Sequence, residues 1–504
     1  MKYFRITLLS LIVLGAVGAL AGYFFFRRTV PVQARFIPRD AVLVLTADVR
    51  ELALNAKGGK PLLPERGGDA INKQLAALSR VLGEHKGGGI AQTADVQLFL
   101  FRRNESAWAG AALELKDSAA FGQMLRSNEL KREIMLAPAG SNLLTLDSSG
   151  MVLGWNNNAA LLLYPVGNHE TAATAKMLAQ LLALPEANSI ASNKAFCNAV
   201  LQEFDLSLWV NPAEAVALSQ SAPLAALLGN ISQLHLTADF SNGVLTVKRH
   251  IIENNYNHIT QNPNTLPENW NAYWIFSTSS LYKHPAADLF FDDNELSKAL
   301  AAQLTGQCML FLHDTVSYTA SYTETVMDEN FNTVQREVSS NAVELGHTCA
   351  YTLKKGADVN ALFQRAAASD SNITAHSNTW QMATGSLTKY AFVQNGLLYV
   401  STKIRAPFAP SKTAAENAFA AQLKLPQLLR TLQQAHSDWP PQWLSIAGVF
   451  EKHMEYASLS KPVFKSSNSY SDEFTLRFTN KDINTMLQLR DLFREAAWLM
   501  QQKN

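Results

Sequence analysis

The sequence predicts an α+β fold: two tandem duplicated domains of antiparallel sheet and packed helices, behind one N-terminal transmembrane helix. Three observations predict it. Residues 6–26 form an uncharged apolar run. Val96–Arg126 reads as strand, strand, helix: VQLFLFRR, then AWAGAALELKD, then SAAFGQMLR. A weaker copy follows far downstream. LFLH at Leu310–His313 echoes LFLF at Leu98–Phe101, and LKKGADVNALFQR at Leu353–Arg365 echoes LKDSAAFGQMLR at Leu115–Arg126.

A chain of 504 residues has room for two to four domains of about 150 residues each. Its 47% apolar content lets each half bury a core. Lys plus Arg is 43 and Asp plus Glu is 42, so the whole molecule has no electrostatic reason to seek nucleic acid. Nucleic acid is therefore not an expected partner. The cysteines Cys197, Cys308 and Cys349 are too few for a disulfide framework, and no C-x-x-C pair occurs.

Residues 1–28 are the expected membrane anchor or signal segment. Ile6–Phe26 carries no charge and is flanked by Lys2, Arg5, Arg27 and Arg28. At about 1.5 Å per residue it matches a bilayer core of about 30 Å. Ala19-Leu20-Ala21 would suit a signal peptidase, but Phe24, Phe25 and Phe26 continue the apolar run past it. The expectation is an uncleaved single-pass anchor in the cytoplasmic membrane, with the lipid bilayer as partner and the body on the periplasmic, extracytoplasmic side.

The first domain is expected over residues 36–253. Ala41–Val49 is an apolar strand, and Ala70–Gly83 places Ile71, Leu75, Leu78 and Leu82 at helical spacing. Gly87-Gly88-Gly89 lacks both P-loop and dinucleotide spacing and reads as a loop. Strands are expected around Leu143–Leu146, Met151–Trp155 and Ala160–Val166, then helices near Ala172–Leu184 and Asn193–Glu203. Phe204–Val210 is a strand with Phe204, Leu206 and Leu208 on one face. Pro212 opens a helix. A hairpin across Ser241-Asn242-Gly243 closes the half.

Residues 254–271, rich in Asn and Pro, form the expected linker. The second domain, 272–504, begins with a strand at Ala272–Ser280 and a helix at Asn294–Leu304. A strand at Cys308–Asp314 pairs with Gly346–Leu353, and a helix follows at Asp358–Ala368. A hairpin turns at Gln394-Asn395-Gly396, Glu416–Gln434 is helical, and Leu444–Leu459 pairs with Asp472–Phe478. Two features have no counterpart in the first half. Residues 315–345 alternate Thr, Val and Tyr with period two and read as a long, largely two-sided polar hairpin arm. Residues 481–500 form a C-terminal helix with a broad apolar face.

Candidate chemistry gives way to plainer readings. Cys308, His313, His347 and Cys349 are zinc-ligating types, but Cys308 and His313 are five apart and point to opposite strand faces. Buried free thiols are expected for Cys308 and Cys349, with a disulfide between them as the alternative. The S-x-x-K strings at Ser280–Lys283, Ser386–Lys389 and Ser458–Lys461 lack the K-T-G and S-D-N partners of serine acyl-enzymes. Asp288, Asp292, Asp293 and Glu295 match a helix N-terminal dipole better than a calcium loop. No catalytic, cofactor or metal residue is assigned. The arm is the expected partner-binding element, through Val316, Tyr318, Tyr322, Val326, Phe331 and Val334.

IPRDAVLVLTADV near the start, TGQCMLFLHD at Thr305–Asp314 and GLLYVST at Gly396–Thr402 resemble a family of bacterial envelope proteins catalogued only as a domain of unknown function. The resemblance implies an exported or lipid-anchored protein and carries over no activity. Gln307 stands where that family has Glu, and the lipobox cysteine is lacking. The expected function is binding or scaffolding in the envelope, with an unidentified envelope protein as partner. A hydrolase with a site dispersed in sequence and a carrier of an apolar ligand are the alternatives.

Overall fold

The structure, a computed structural model, describes residues 30–48, 88–91, 95–103, 106–126, 136–140, 142–146, 150–166, 171–202, 204–219, 221–222, 225, 228–253, 265–267, 270–277, 295–327, 331–376, 378–384, 387–403, 408–410, 417–435, 440–462 and 469–501. The expected span Ile6–Phe26 and the expected helix Ala70–Gly83 lie outside the described residues. No helix among the described residues is long and apolar enough to cross a membrane. The chain divides into two compact units. One is Met1–Asp239 with Arg249–Asn254, and the other is Phe240–Lys248 with Asn255–Asn504.

In the first unit the strands are β1 (Leu43–Ala47), β2 (Val96–Arg103), β3 (Ser106–Glu114), β4 (Leu136–Gly140), β5 (Leu143–Leu146), β6 (Met151–Trp155), β7 (Ala159–Val166), β8 (Leu206–Val210) and β9 (Ile231–Ser241). They pair antiparallel in the order β9-β8-β1-β2-β3-β7-β6-β5-β4. The helices are α1 (Ser118–Leu125), α2 (Thr171–Leu182), α3 (Lys194–Val200) and α4 (Pro212–Ser219). Asp117 caps α1 by accepting from the N–H groups of Ala119 and Ala120, and Asn193 does the same for α3. Both faces of the sheet are covered. Phe99, Phe101, Trp108, Val152, Leu161 and Leu163 join Leu178, Phe196 and Trp209 in one cluster. Leu115, Phe121, Met124, Leu153 and Trp155 form another. That is why β6 is buried at every position.

β9 continues through a turn into β10 (Val244–Glu253), and the division between units falls inside this hairpin. Gly243 has φ +68, and a Cβ there would come within 2.8 Å of the Lys481 Cα. Only glycine meets both demands.

The second unit holds β11 (Thr265–Pro267), β12 (Ala272–Ser277), β13 (Leu304–Met327), β14 (Thr333–Leu353), β15 (Ile373–His376), β16 (Thr379–Thr384), β17 (Leu387–Gln394), β18 (Leu397–Ser401), β19 (Phe408–Pro410), β20 (Asn417–Lys424), β21 (Met454–Pro462) and β22 (Ser469–Phe478). The antiparallel order is β22-β21-β20-β12-β13-β14-β18-β17-β16-β15, and β11 pairs with β19 separately. The helices are α5 (Glu295–Ala302), α6 (Val359–Ser369), α7 (Leu425–Ala435), α8 (Pro441–His453) and α9 (Thr485–Gln501). Here too the sheet is double-faced. Leu398 and Val400 of β18 join Cys308, Cys349, Tyr351, Val359 and Phe363. Leu397 and Tyr399 join Tyr273, Ile275, Met309, Phe311 and Ala350.

These elements correct the expected fold class. Among the described residues the chain is mostly antiparallel sheet, 50% strand against 32% helix, rather than α+β; the expected transmembrane helix lies outside those residues. Two local readings shift with it. Residues 417–424, read as the start of a helix, are strand β20, because NAFAAQLK pairs with β12 on one side and β21 on the other. Tertiary pairing overrides its alanine-rich helix propensity. Leu444–Leu459, read as strand, is helix α8 to His453 and strand only from Met454, with Pro440-Pro441 setting the helix start. On β8 the buried residues are Ser207 and Trp209, whereas Leu206 and Leu208 are half-buried.

Candidate functional site

The arm begins where β13 and β14 leave the sheet. Below it, Leu312 lies opposite His347; above it, Thr315 lies opposite Leu345. His313 and Asp314 therefore face the single residue Gly346, a β-bulge that re-aims both strands. A Cβ on Gly346 would sit 2.3 Å from the Asp314 carbonyl oxygen, so the close approach requires glycine. Side chains brace the root. Asn271 Nδ2 donates to Asp314 Oδ1 at 3.1 Å and to Thr431 Oγ1 at 2.9 Å. His313 Nε2 and Thr348 Oγ1 are 2.9 Å apart, and Thr348 Oγ1 is 2.6 Å from Ser401 Oγ. Burial lowers the pKa of His347 beside them.

Beyond the root the ladder runs without a break from Thr315↔Leu345 to Met327↔Thr333. That is a ribbon of about 40 Å at strand rise. Register decides its faces. One face carries Val316, Tyr318, Ala320, Tyr322, Glu324 and Val326, opposite Glu344, Ala342, Ser340, Val338, Arg336 and Val334. The other carries Ser317, Thr319, Ser321, Thr323 and Thr325, opposite Val343, Asn341, Ser339, Glu337 and Gln335, with Ser321 and Ser339 hydroxyls 3.1 Å apart. One side of the arm is thus the more apolar, although Glu324, Arg336, Ser340 and Glu344 share it, and Val343, Leu345 and Met327 lie on the other. Tyr322 is 51% exposed. At the tip Met327 and Phe331 are 72% and 83% exposed, and Phe331 holds φ +62.

Of the residues expected to bind, Val316, Tyr318, Tyr322, Val326 and Val334 share the apolar face, and Phe331 lies past its last rung. Sequence reasoning missed Ala320, Val338 and Ala342, which complete that face. Their period-two spacing was visible, but which face they join depends on the cross-strand register.

The thiol candidates sit in the core. Cys308 and Cys349 are free and each is 1% exposed. Cys308 lies opposite Tyr351 and Cys349 opposite Leu310, so the two are diagonal neighbours. A diagonal spans about 7–8 Å between Cα atoms, longer than a disulfide favours. Burial pushes both thiols well up from their ordinary pKa, which keeps them protonated. Among the described residues no group of three or more His, Cys, Asp and Glu could hold a metal ion. Of the S-x-x-K strings, Ser458–Lys461 lies on strand β21.

One hydroxyl–imidazole pair was not foreseen. Ser207 Oγ lies 2.8 Å from His235 Nε2, across β8 and β9. Burial, with the His250 charge second, lowers the His235 pKa to about 4. Ser207 is 1% and His235 6% exposed, which leaves a substrate no approach to the pair.

No family profile and no curated protein matches the chain. Among solved structures, crystal forms I and IV of TP0453 align at 11% identity and a TM-score of 0.25. They cover 46% and 45% of this chain and 81% of their own.

Proposed function

We propose that this protein is a membrane-anchored binding protein of the extracytoplasmic envelope, and that the arm's apolar face docks a protein partner. The observation that carries the reading is the segregation of Val316, Tyr318, Tyr322, Val326, Val334 and Val338 onto one side of a ribbon. An isolated two-stranded hairpin is marginal in water, and covering one apolar face removes that weakness. The partner's chemistry follows from charge. Residues 315–345 carry Glu324, Asp328, Glu329, Glu337 and Glu344 against Arg336 alone. An anionic lipid surface would be repelled, whereas a protein with apolar and basic side chains is complementary. The anchor rests on Ile6–Phe26, whose length and flanking charges suit a single span.

Deleting Val316–Val343 and closing the strands with a tight turn tests the docking reading. The variant is expected to unfold at the wild-type temperature and to lose the crosslinks that wild type forms in native envelopes. Loss of folding would place those strands in the core and refute the reading. Retained crosslinks would move the partner site elsewhere.

A further inference from the structure

A polar cleft of about 620 Å³ opens in the first unit, lined by Arg39, Asp40, Arg103, Leu184, Asn188, Asn193 and Asn211. Its walls are fixed by main-chain bonds. Arg39 N–H donates to the Asn188 carbonyl at 2.9 Å, Ile190 N–H to Ile37 at 2.8 Å, and Asn211 N–H to Val42 at 2.9 Å. Such a site is preorganised.

The side chains in it are unevenly engaged. Arg103 Nη1 pairs with Asp40 Oδ2 at 2.5 Å. The other oxygen, Asp40 Oδ1, is enclosed and has no hydrogen-bond partner among the described residues. Asn193 Oδ1 accepts from Ala195 and Phe196 N–H, and Asn211 Oδ1 accepts from Glu214 N–H, so both present their amide N–H groups as donors. Arg39 is exposed at the rim, with no ion pair among the described residues. With Arg103 and Asp40 neutralising each other, the cleft is left with one guanidinium charge and several amide donors.

We propose that this cleft binds an oxyanion carried by a small hydroxylated molecule, either a sugar phosphate or a sugar acid. Arg39 takes the oxyanion, in the fork geometry that guanidinium offers to phosphate and carboxylate. The amides of Asn193 and Asn211 donate to the hydroxyl oxygens of the ligand. The volume falls within the range of small-molecule sites, about 300–1,000 Å³. A bare anion on Arg39 would leave the Asn193 and Asn211 amides unused, and a neutral sugar would leave Arg39 unused.

Calorimetric titration of the full chain with glucose 6-phosphate, glucuronate, glucose and inorganic phosphate tests this. Saturable binding of glucose 6-phosphate or glucuronate is expected, about tenfold or more tighter than glucose or inorganic phosphate. Whichever of the two binds tells phosphate from carboxylate. Arg39→Gln should weaken that binding by about tenfold while its thermal melt stays at the wild-type temperature, which separates lost binding from lost folding. Absence of saturable binding by both anionic sugars would overturn the proposal. So would equal binding of glucose or inorganic phosphate, or binding unchanged in Arg39→Gln.

Discussion

His235 shows how burial alone sets a side chain's chemistry. Its pKa is held near 4, first by desolvation and second by the His250 charge, against an ordinary value of 6.5. In the unfolded chain the imidazole takes a proton as pH falls through about 6.5; in the folded protein it resists until about 4. The unfolded state therefore binds more protons across that window. The stability from the neutral, buried ring is complete above about pH 6.5 and lost as pH falls through about 4, a change of about 3 kcal/mol. Denaturant melts of wild type and His235→Gln at pH 7 and pH 4 check this. The wild type should lose about 3 kcal/mol more than the variant between those pH values; equal losses would assign the acid sensitivity elsewhere. The residue-level pattern here was hidden from sequence. FDLSLWV alternates cleanly and puts Phe204, Leu206 and Leu208 on one face, but it does not say which face is the more buried. The tighter side is the one where Trp209 packs edge-on against Phe196 at 6.1 Å, and it carries Ser207 inward with it.

At the scale of elements, local chemistry was legible and register was not. Asn395-Gly396 predicted a hairpin turn, and both residues hold positive φ, 51° and 75°, between β17 and β18. The helix after Asp358 was legible because its capping residue and its Val359 and Phe363 spacing agree; both side chains are buried. The arm's two strands were legible as period-two runs. Its one-sided face was not, since which residues of β14 lie opposite Tyr318 and Tyr322 depends on the bulge at His313-Asp314. That bulge has one sequence trace, Gly346, and it carries a prediction. Gly346→Ala forces a Cβ into the Asp314 carbonyl and should cost about 1–3 kcal/mol. Gly448→Ala, inside α8 where nothing lies within 4 Å of the added atom, should instead gain about 0.5–1 kcal/mol. Unfolding melts of both variants give the two signs. Faster amide exchange along β13 in the first variant would tie the loss to the arm root.

At the scale of the whole molecule, the strand count exceeded what period and propensity suggest. Sequence reading weights helices by their caps and amphipathic spacing, and many of these are present. It undercounts strands such as β4, β15 and β20, whose residues are small or polar and whose pairing partners lie far along the chain. Hence a chain that reads as α+β is predominantly antiparallel sheet over its described residues. The proposed anchor is the largest-scale inference the sequence carries, and it has a direct check. Twenty-odd apolar residues spanning a bilayer resist extraction by alkaline carbonate, whereas a protein held by electrostatics or by its partners is released. The full chain is expected in the membrane pellet after carbonate washing, and a version starting at Val30 in the soluble fraction. Externally added protease should reach the arm in spheroplasts, because the proposed orientation puts the body outside the cytoplasm. Release of the full chain by carbonate would refute the span. Protection of the body in intact spheroplasts would reverse its orientation, and with it the compartment in which the arm's partner has to be sought.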